Sequence, residues 1–142
     1  MSAARGHEPA AFEVYLGGFR GPSYGAWWTG EDVVYESFER GYREIEQIRL
    51  SPSVEQWRRF WRAVDELAVW GWAPRYEPAG RYEPGTVVRD GVHWSLTLEH
   101  GGRRIESSGD SAGPGAADLD DSTSFVQFLD VLSRLLGGRA FS

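Results

Sequence analysis

The sequence predicts an α+β domain: an antiparallel sheet of about six strands in βββα-βββα order, with two amphipathic helices packed on one face. Short runs of period-two alternation recur between glycine-rich turns, which predicts strands joined as hairpins. Two longer stretches, 53–68 and 122–136, repeat apolar residues at steps of three and four, which predicts helices with one apolar side. The chain has 142 residues, the size of one domain, and its 41% hydrophobic and 25% charged residues match a folded globular protein.

The elements follow in order. Residues 1–10 are small and polar and read as an N-terminal tail, with one domain over 11–138 and a C-terminal tail over 139–142. Phe12, Val14 and Leu16 alternate with Glu13 and Tyr15, the pattern of a strand that Gly17 and Gly18 end. GPSYG, residues 21–25, reads as a turn. Thr29-Gly30-Glu31-Asp32 reads as a hairpin connection between Trp27-Trp28 and Val33–Phe38. REIEQIRL, residues 43–50, reads as a strand whose alternation slips between Ile45 and Ile48, which points to a bulge.

Ser53 and Gln56 form a capping box for the first helix, and Ser51 before Pro52 is an alternative start. Val54, Trp57, Phe60, Trp61, Val64 and Leu67 share its apolar face. Residues 86–107 read as a three-stranded meander turning at Asp90-Gly91 and Gly101-Gly102. Trp94, Leu96 and Leu98 point one way, and His93, Ser95, Thr97 and Glu99 the other, so one face of the sheet is expected to be wet. Ser122 or Asp121 caps the last helix, and Gly137-Gly138 stops it.

Composition excludes several chemistries. Cys, Lys and Asn are absent, so all fifteen Lys-plus-Arg positions are Arg. Lys and Asn have AT-rich codons, and the bias reads as a GC-rich bacterial genome. There is no disulfide, thiol nucleophile or thiolate metal site, no Schiff-base lysine and no N-glycosylation sequon. The formal net charge of −6 opposes nucleic-acid binding and suits a basic protein partner. MSAARGHEPA has no apolar signal core, and no apolar stretch approaches the roughly 18 residues of a membrane span, so cytoplasm without membrane contact is the expected compartment.

No nucleophile elbow, zinc motif or phosphate loop occurs, and neither a cofactor nor a metal is expected. Asp110, Asp118, Asp120 and Asp121 lack the spacing of a calcium loop. His93 with Asp90 or Glu99 is the pairing that would serve a hydrolase. Most indoles read as core. Trp27 and Trp28 are adjacent on a strand, so one of them faces away from the core and, beside Tyr24, would anchor a protein or stack on a sugar. RYEPAGRYEP, residues 75–84, repeats four letters. Each Pro holds the preceding Glu extended, so the loop displays Tyr76 and Tyr82 beside Arg75 and Arg81, or simply lengthens a surface connection.

Trp70-x-Trp72, Tyr76, Asp90-Gly91-x-x-Trp94-x-Leu96, Ser108-Gly109 and the final helix resemble an uncharacterised family of small bacterial proteins over residues 50–136. The segment before the last helix reads SGDSAGP, a partial match, and the doubled RYEP is an insertion. The resemblance carries no activity; it implies a hairpin turn, a core Trp and a helix cap. The expected function is a noncatalytic protein-binding module, of inhibitor or immunity type, covering a basic partner. The alternatives are a small-molecule or carbohydrate-binding domain using exposed aromatics, and the His93 hydrolase.

Overall fold

The alternation at the start of the chain becomes the central strand of the sheet. In the computed structural model, which describes residues 6–18, 21–39, 43–77, 92–116 and 119–142, β1 (Ala11–Gly18) pairs antiparallel with β2 (Ser23–Trp28) on one side and with β6 (Val92–His100) on the other. β3 (Val33–Glu39) and β4 (Arg43–Leu50) continue the meander outward from β2. β7 (Arg103–Asp110) follows β6. A two-residue strand, β5 (Arg75–Tyr76), lies parallel to β7 at the far edge. The sheet order is β4-β3-β2-β1-β6-β7-β5.

The fold is α+β, but the sheet is mixed and has seven described strands, which corrects the purely antiparallel six-strand expectation. Two local effects account for the difference. The expected turn over 21–25 is partly strand, because Ser23, Tyr24 and Gly25 pair with Phe38, Ser37 and Glu36. β5 is too short to show any alternation, and its neighbours' contacts hold it. The Ser108 amide donates to the Pro74 carbonyl at 3.1 Å, the Ser107 hydroxyl donates to Ala73 at 2.6 Å, and the Tyr76 ring lies 6.1 Å from that of Trp94. The Asp90-Gly91 turn and the strand before it lie outside the described residues.

The expected bulge in β4 falls at Ile45. Ser37 pairs with Glu46, but Phe38 pairs with Glu44, so Ile45 has no partner across the ladder. Between β6 and β7, Gly101 and Gly102 take φ of 61° and 81°, the positive angles that a two-residue hairpin turn needs.

Helix α1 (Val54–Glu66) begins as the capping box specifies. The Ser53 hydroxyl accepts from the Gln56 amide at 3.1 Å, and the Gln56 side chain accepts from the Ser53 amide at 2.8 Å. Helix α2 (Thr123–Leu135) starts after Ser122, but this serine does not cap with its side chain. Its buried hydroxyl donates to the Pro114 carbonyl at 2.6 Å, tying the preceding loop to the helix. At the other end, Gly138 and Gly137 donate to Ser133 and Arg134, the paired bonds that close a helix on left-handed glycine.

Both helices cover one face of the sheet. Phe12 meets Trp57 edge-on at 5.5 Å and Phe60 at 5.6 Å, and Phe60 meets Phe128 at 6.2 Å. Trp94 lies 4.7 Å from Phe125, and its indole donates to the Ala112 carbonyl at 2.8 Å. That indole crosses Gly109 so closely that a Cβ there would collide with it and with Ala112.

Both expected tails touch the domain where they are described. The Ala10 amide donates to Glu99 at 2.8 Å, and the Trp61 indole donates to the His7 carbonyl at 2.8 Å. Phe141 is 2% exposed, and the Tyr35 hydroxyl donates to the Ala140 carbonyl at 2.7 Å.

Ala68, just past α1, takes φ 55°, which costs an L-residue with a Cβ more than it costs glycine. Ala68→Gly is expected to raise the unfolding free energy by about 0.5–1 kcal/mol in a urea titration. Burial pushes the Tyr35 phenol above its ordinary value, with the Glu46 carboxylate adding to it against a lowering bond from Ser37. A group protonated more firmly in the folded state contributes its full stability below its unfolded pKa of about 10 and loses it as pH rises through the folded value. The stability of the wild-type protein is therefore expected to fall more steeply than that of Tyr35→Phe above pH ~10, measured by urea unfolding across alkaline pH.

Candidate functional site

By strand parity the sheet has a second face, and among the described residues no helix lies on it. Phe12, Val14 and Leu16 of β1 face the helices, so Glu13 and Tyr15 face out, and Tyr15 is 37% exposed. Register passes this parity across the sheet. Trp27 stands opposite Glu13 on β1 and Val34 on β3, and Gly25 stands opposite Tyr15 and Glu36. On the other side of β1, Thr97 faces Glu13 and Ser95 faces Tyr15.

Trp27 and Trp28 therefore separate as alternation requires. Trp28 turns inward and meets Trp57 edge-on at 5.8 Å. Trp27 is half-buried on the open face, beside a depression of about 500 Å³ at the strand ends that Phe12, Glu13, Trp28 and Thr97 also border. Its aromatic neighbour by register is Tyr15, not Tyr24, because Tyr24 has the parity of the covered face and packs on Phe141 at 5.6 Å. A Cβ added to Gly25 would stand 3.5 Å from Cγ of Glu36 and 3.8 Å from Cζ3 of Trp27. Both are ordinary contact distances, so the Trp27 ring and the Glu36 side chain both reach the space over Gly25.

The charges on this face are unevenly matched. Arg49 pairs with Asp32 at 3.4 Å, and the Thr29 hydroxyl is the main reason the Asp32 carboxyl is held below its ordinary pKa, with Arg49 adding to it against burial. Arg104 bonds Glu99 at 2.8 Å and Glu106 at 3.2 Å; these bonds, Glu99 first, raise its pKa. Arg75 pairs with Asp110 and, at 3.5 Å, with Glu77. Each of these guanidinium groups already has a carboxylate. Among the described residues, no arginine reaches Glu13 or Glu36; Glu36 accepts only the Gln47 amide, at 3.2 Å.

The other sequence-predicted site residues do not gather here. Arg75 and Tyr76 lie on β5, four strands from β2, or about 19 Å at the usual strand spacing. The Tyr76 hydroxyl accepts the Ala73 amide at 2.8 Å, so this tyrosine packs inward rather than being displayed. Arg81 and Tyr82 lie outside the described residues, as does Asp90. His93 meets Asp110 through Nδ1, and Glu99 is held by Arg104 instead, which corrects the proposed His93–Glu99 pair. The cross-strand register places Asp110 directly opposite His93, and that pairing cannot be read from spacing along the chain. The His93 side chain is 61% exposed on the open strand surface. Among the described residues, no group of three metal-ligating side chains converges, and no helix is long and apolar enough to cross a membrane.

A second concavity lies on the helix side. It is an open cleft of about 1040 Å³ between α2 and the ends of β1 and β2, lined by Leu16, Tyr24, Phe125, Val126, Leu129 and Phe141 among others. Two of its polar side chains are already engaged: Asp130 with Arg134 at 2.9 Å, and Ser133 with the Arg139 carbonyl at 2.7 Å. Spacing along the chain does not single out Glu13, Tyr15, Gly25 and Glu36 as neighbours of Trp27. Tyr15 and Glu13 were available from the parity of β1; Glu36 and Gly25 needed the β2–β3 register.

No family model, no curated protein and no solved structure matches this chain.

An exposed ion pair contributes less than about 1 kcal/mol. His93→Ala is accordingly expected to shift the melting temperature by no more than about 3 °C in a thermal scan.

Proposed function

We propose that this protein is a noncatalytic binding module that docks a basic protein partner on the open face of its sheet, in the manner of an inhibitor or immunity protein. The supporting observation is the local charge around Trp27: Glu13 stands across the ladder from the indole and Glu36 reaches the space over Gly25 beside it, and among the described residues Arg49, Arg75 and Arg104 are already paired within the chain. Aromatic side chains at the centre of an uncovered surface supply binding energy, and carboxylates without a cation favour a partner that brings one. The chain-wide charge of −6 acts in the same direction at longer range and speeds the encounter.

The cleft beside α2 gives a second reading some footing, as a site for a small apolar ligand. Two of its polar side chains, Asp130 and Ser133, are spent on internal bonds, and most of the remaining lining is apolar.

Affinity capture from the native host at near-physiological salt tests the first reading. Capture is expected to be lost with Glu13→Arg and with Trp27→Leu, and retained with Arg58→Ala on the exposed side of α1. A captured protein indifferent to both open-face substitutions overturns the reading.

A further inference from the structure

The fold already contains one indole that holds a guanidinium. The Trp70 indole donates to Asp65 at 2.7 Å, Arg103 pairs with the same carboxylate at 3.3 Å, and its guanidinium carbon lies 6.0 Å from the centre of the Trp70 ring. Three parts recur there: an aromatic ring, an adjoining carboxylate and a planar cation.

The open face presents the first two parts without the third. Trp27 has Glu13 directly across the ladder on β1. On the other side, Glu36 of β3 stands across from Gly25, and its side chain and the Trp27 ring both reach the space over that glycine, where a Cβ would meet Cγ of Glu36 at 3.5 Å and Cζ3 of Trp27 at 3.8 Å. The depression of about 500 Å³ beside Trp27 is bordered by Glu13 and Thr97 and runs on to Phe12 and Trp28 at the strand ends, which gives a side chain a place to enter on the Glu13 side of the ring. Among the described residues, no arginine of the chain fills that place.

The geometry points to Trp27, with Glu13 and Glu36, as the seat for one arginine side chain of the docked protein. This rests on reading the open face as the docking surface, and it names the residue type at the centre of the contact. Arginine fits better than lysine. Its planar group can lie over the indole while its N–H groups reach a carboxylate on either side. A lysine ammonium would satisfy one carboxylate as a point charge. The two flanking carboxylates together also disfavour a partner that presents an acidic side chain here.

The test uses capped Gly-Arg-Gly, with capped Gly-Lys-Gly and the neutral citrulline analogue as controls, titrated into the whole protein and followed by NMR. The arginine peptide is expected to shift the Trp27 indole N–H and the Gly25 and Glu13 amides; the lysine peptide should shift them less, and the citrulline peptide not at all. Trp27→Leu keeps the apolar bulk and removes the π-face. Glu13→Gln and Glu36→Gln keep the shape and remove the charge. Trp27→Leu, and the two glutamine changes together, are each expected to weaken the titration about tenfold.

Shifts confined to other parts of the open face, such as Ser95 and Glu106, overturn this seat and leave the docking surface itself standing. The same holds if the citrulline peptide matches the arginine peptide. If no open-face amide moves, the seat is again overturned; the capture experiment then decides separately whether the face docks a protein.

Discussion

Burial of one face of a central strand governs the rest of this structure. β1 has neighbours on both sides, and Phe12 at its start touches both Trp57 and Phe60 of α1. Aromatic contacts of this kind are directional as well as apolar, so they fix the helix position more sharply than aliphatic packing would. Once Phe12, Val14 and Leu16 are committed inward, Glu13 and Tyr15 have nowhere to go but out. The ladder then transmits that choice to β2 and β6. Leu98, Leu96 and Trp94 stand opposite the three buried residues, and Trp27 is forced into the row of Glu13.

The indoles thus divide into two populations. Trp57, Trp61 and Trp94 are filling, and Trp61 is stacked further by His100, whose ring lies parallel at 4.3 Å. The His100 Nε2 donates to the Gly6 carbonyl at 2.6 Å, so the same stack anchors the described N-terminal residues. Trp27 belongs to neither the stack nor the core. Trp27 is half-buried with Glu13 and Val34 across the ladder on a face where no described helix packs, so helix packing does not account for its position. The His93–Asp110 pair has the composition of an acid–base dyad, but the His93 side chain is 61% exposed on the strand surface.

The legible and illegible parts of the sequence divide along a physical line. Features set within a few residues of themselves were readable: the Ser53–Gln56 cap, the Gly137–Gly138 stop, the alternation of β1 and the slip at Ile45. Features set by contacts between distant segments were not. β5 exists because Pro74 and Ala73 meet β7, more than thirty residues away in sequence. Ser122 could be placed at the helix start, but not its choice of Pro114 over the helix amides. The candidate site falls on the same line. Trp27 was identified from its own neighbour, whereas its carboxylate companions depend on registers that no single strand encodes.

The unpaired residue in β4 has a consequence for behaviour in a crowded solution. β4 is an outer strand, and a regular outer strand invites another chain to extend the sheet. At Ile45 the backbone breaks step, and the residues around it include Glu44, Glu46 and Arg49. An incoming strand would find its hydrogen-bonding groups out of phase with the template halfway along and would bury charge while trying to match it. The irregularity that spoils the alternation of this segment thus works against one molecule's sheet extending into the next.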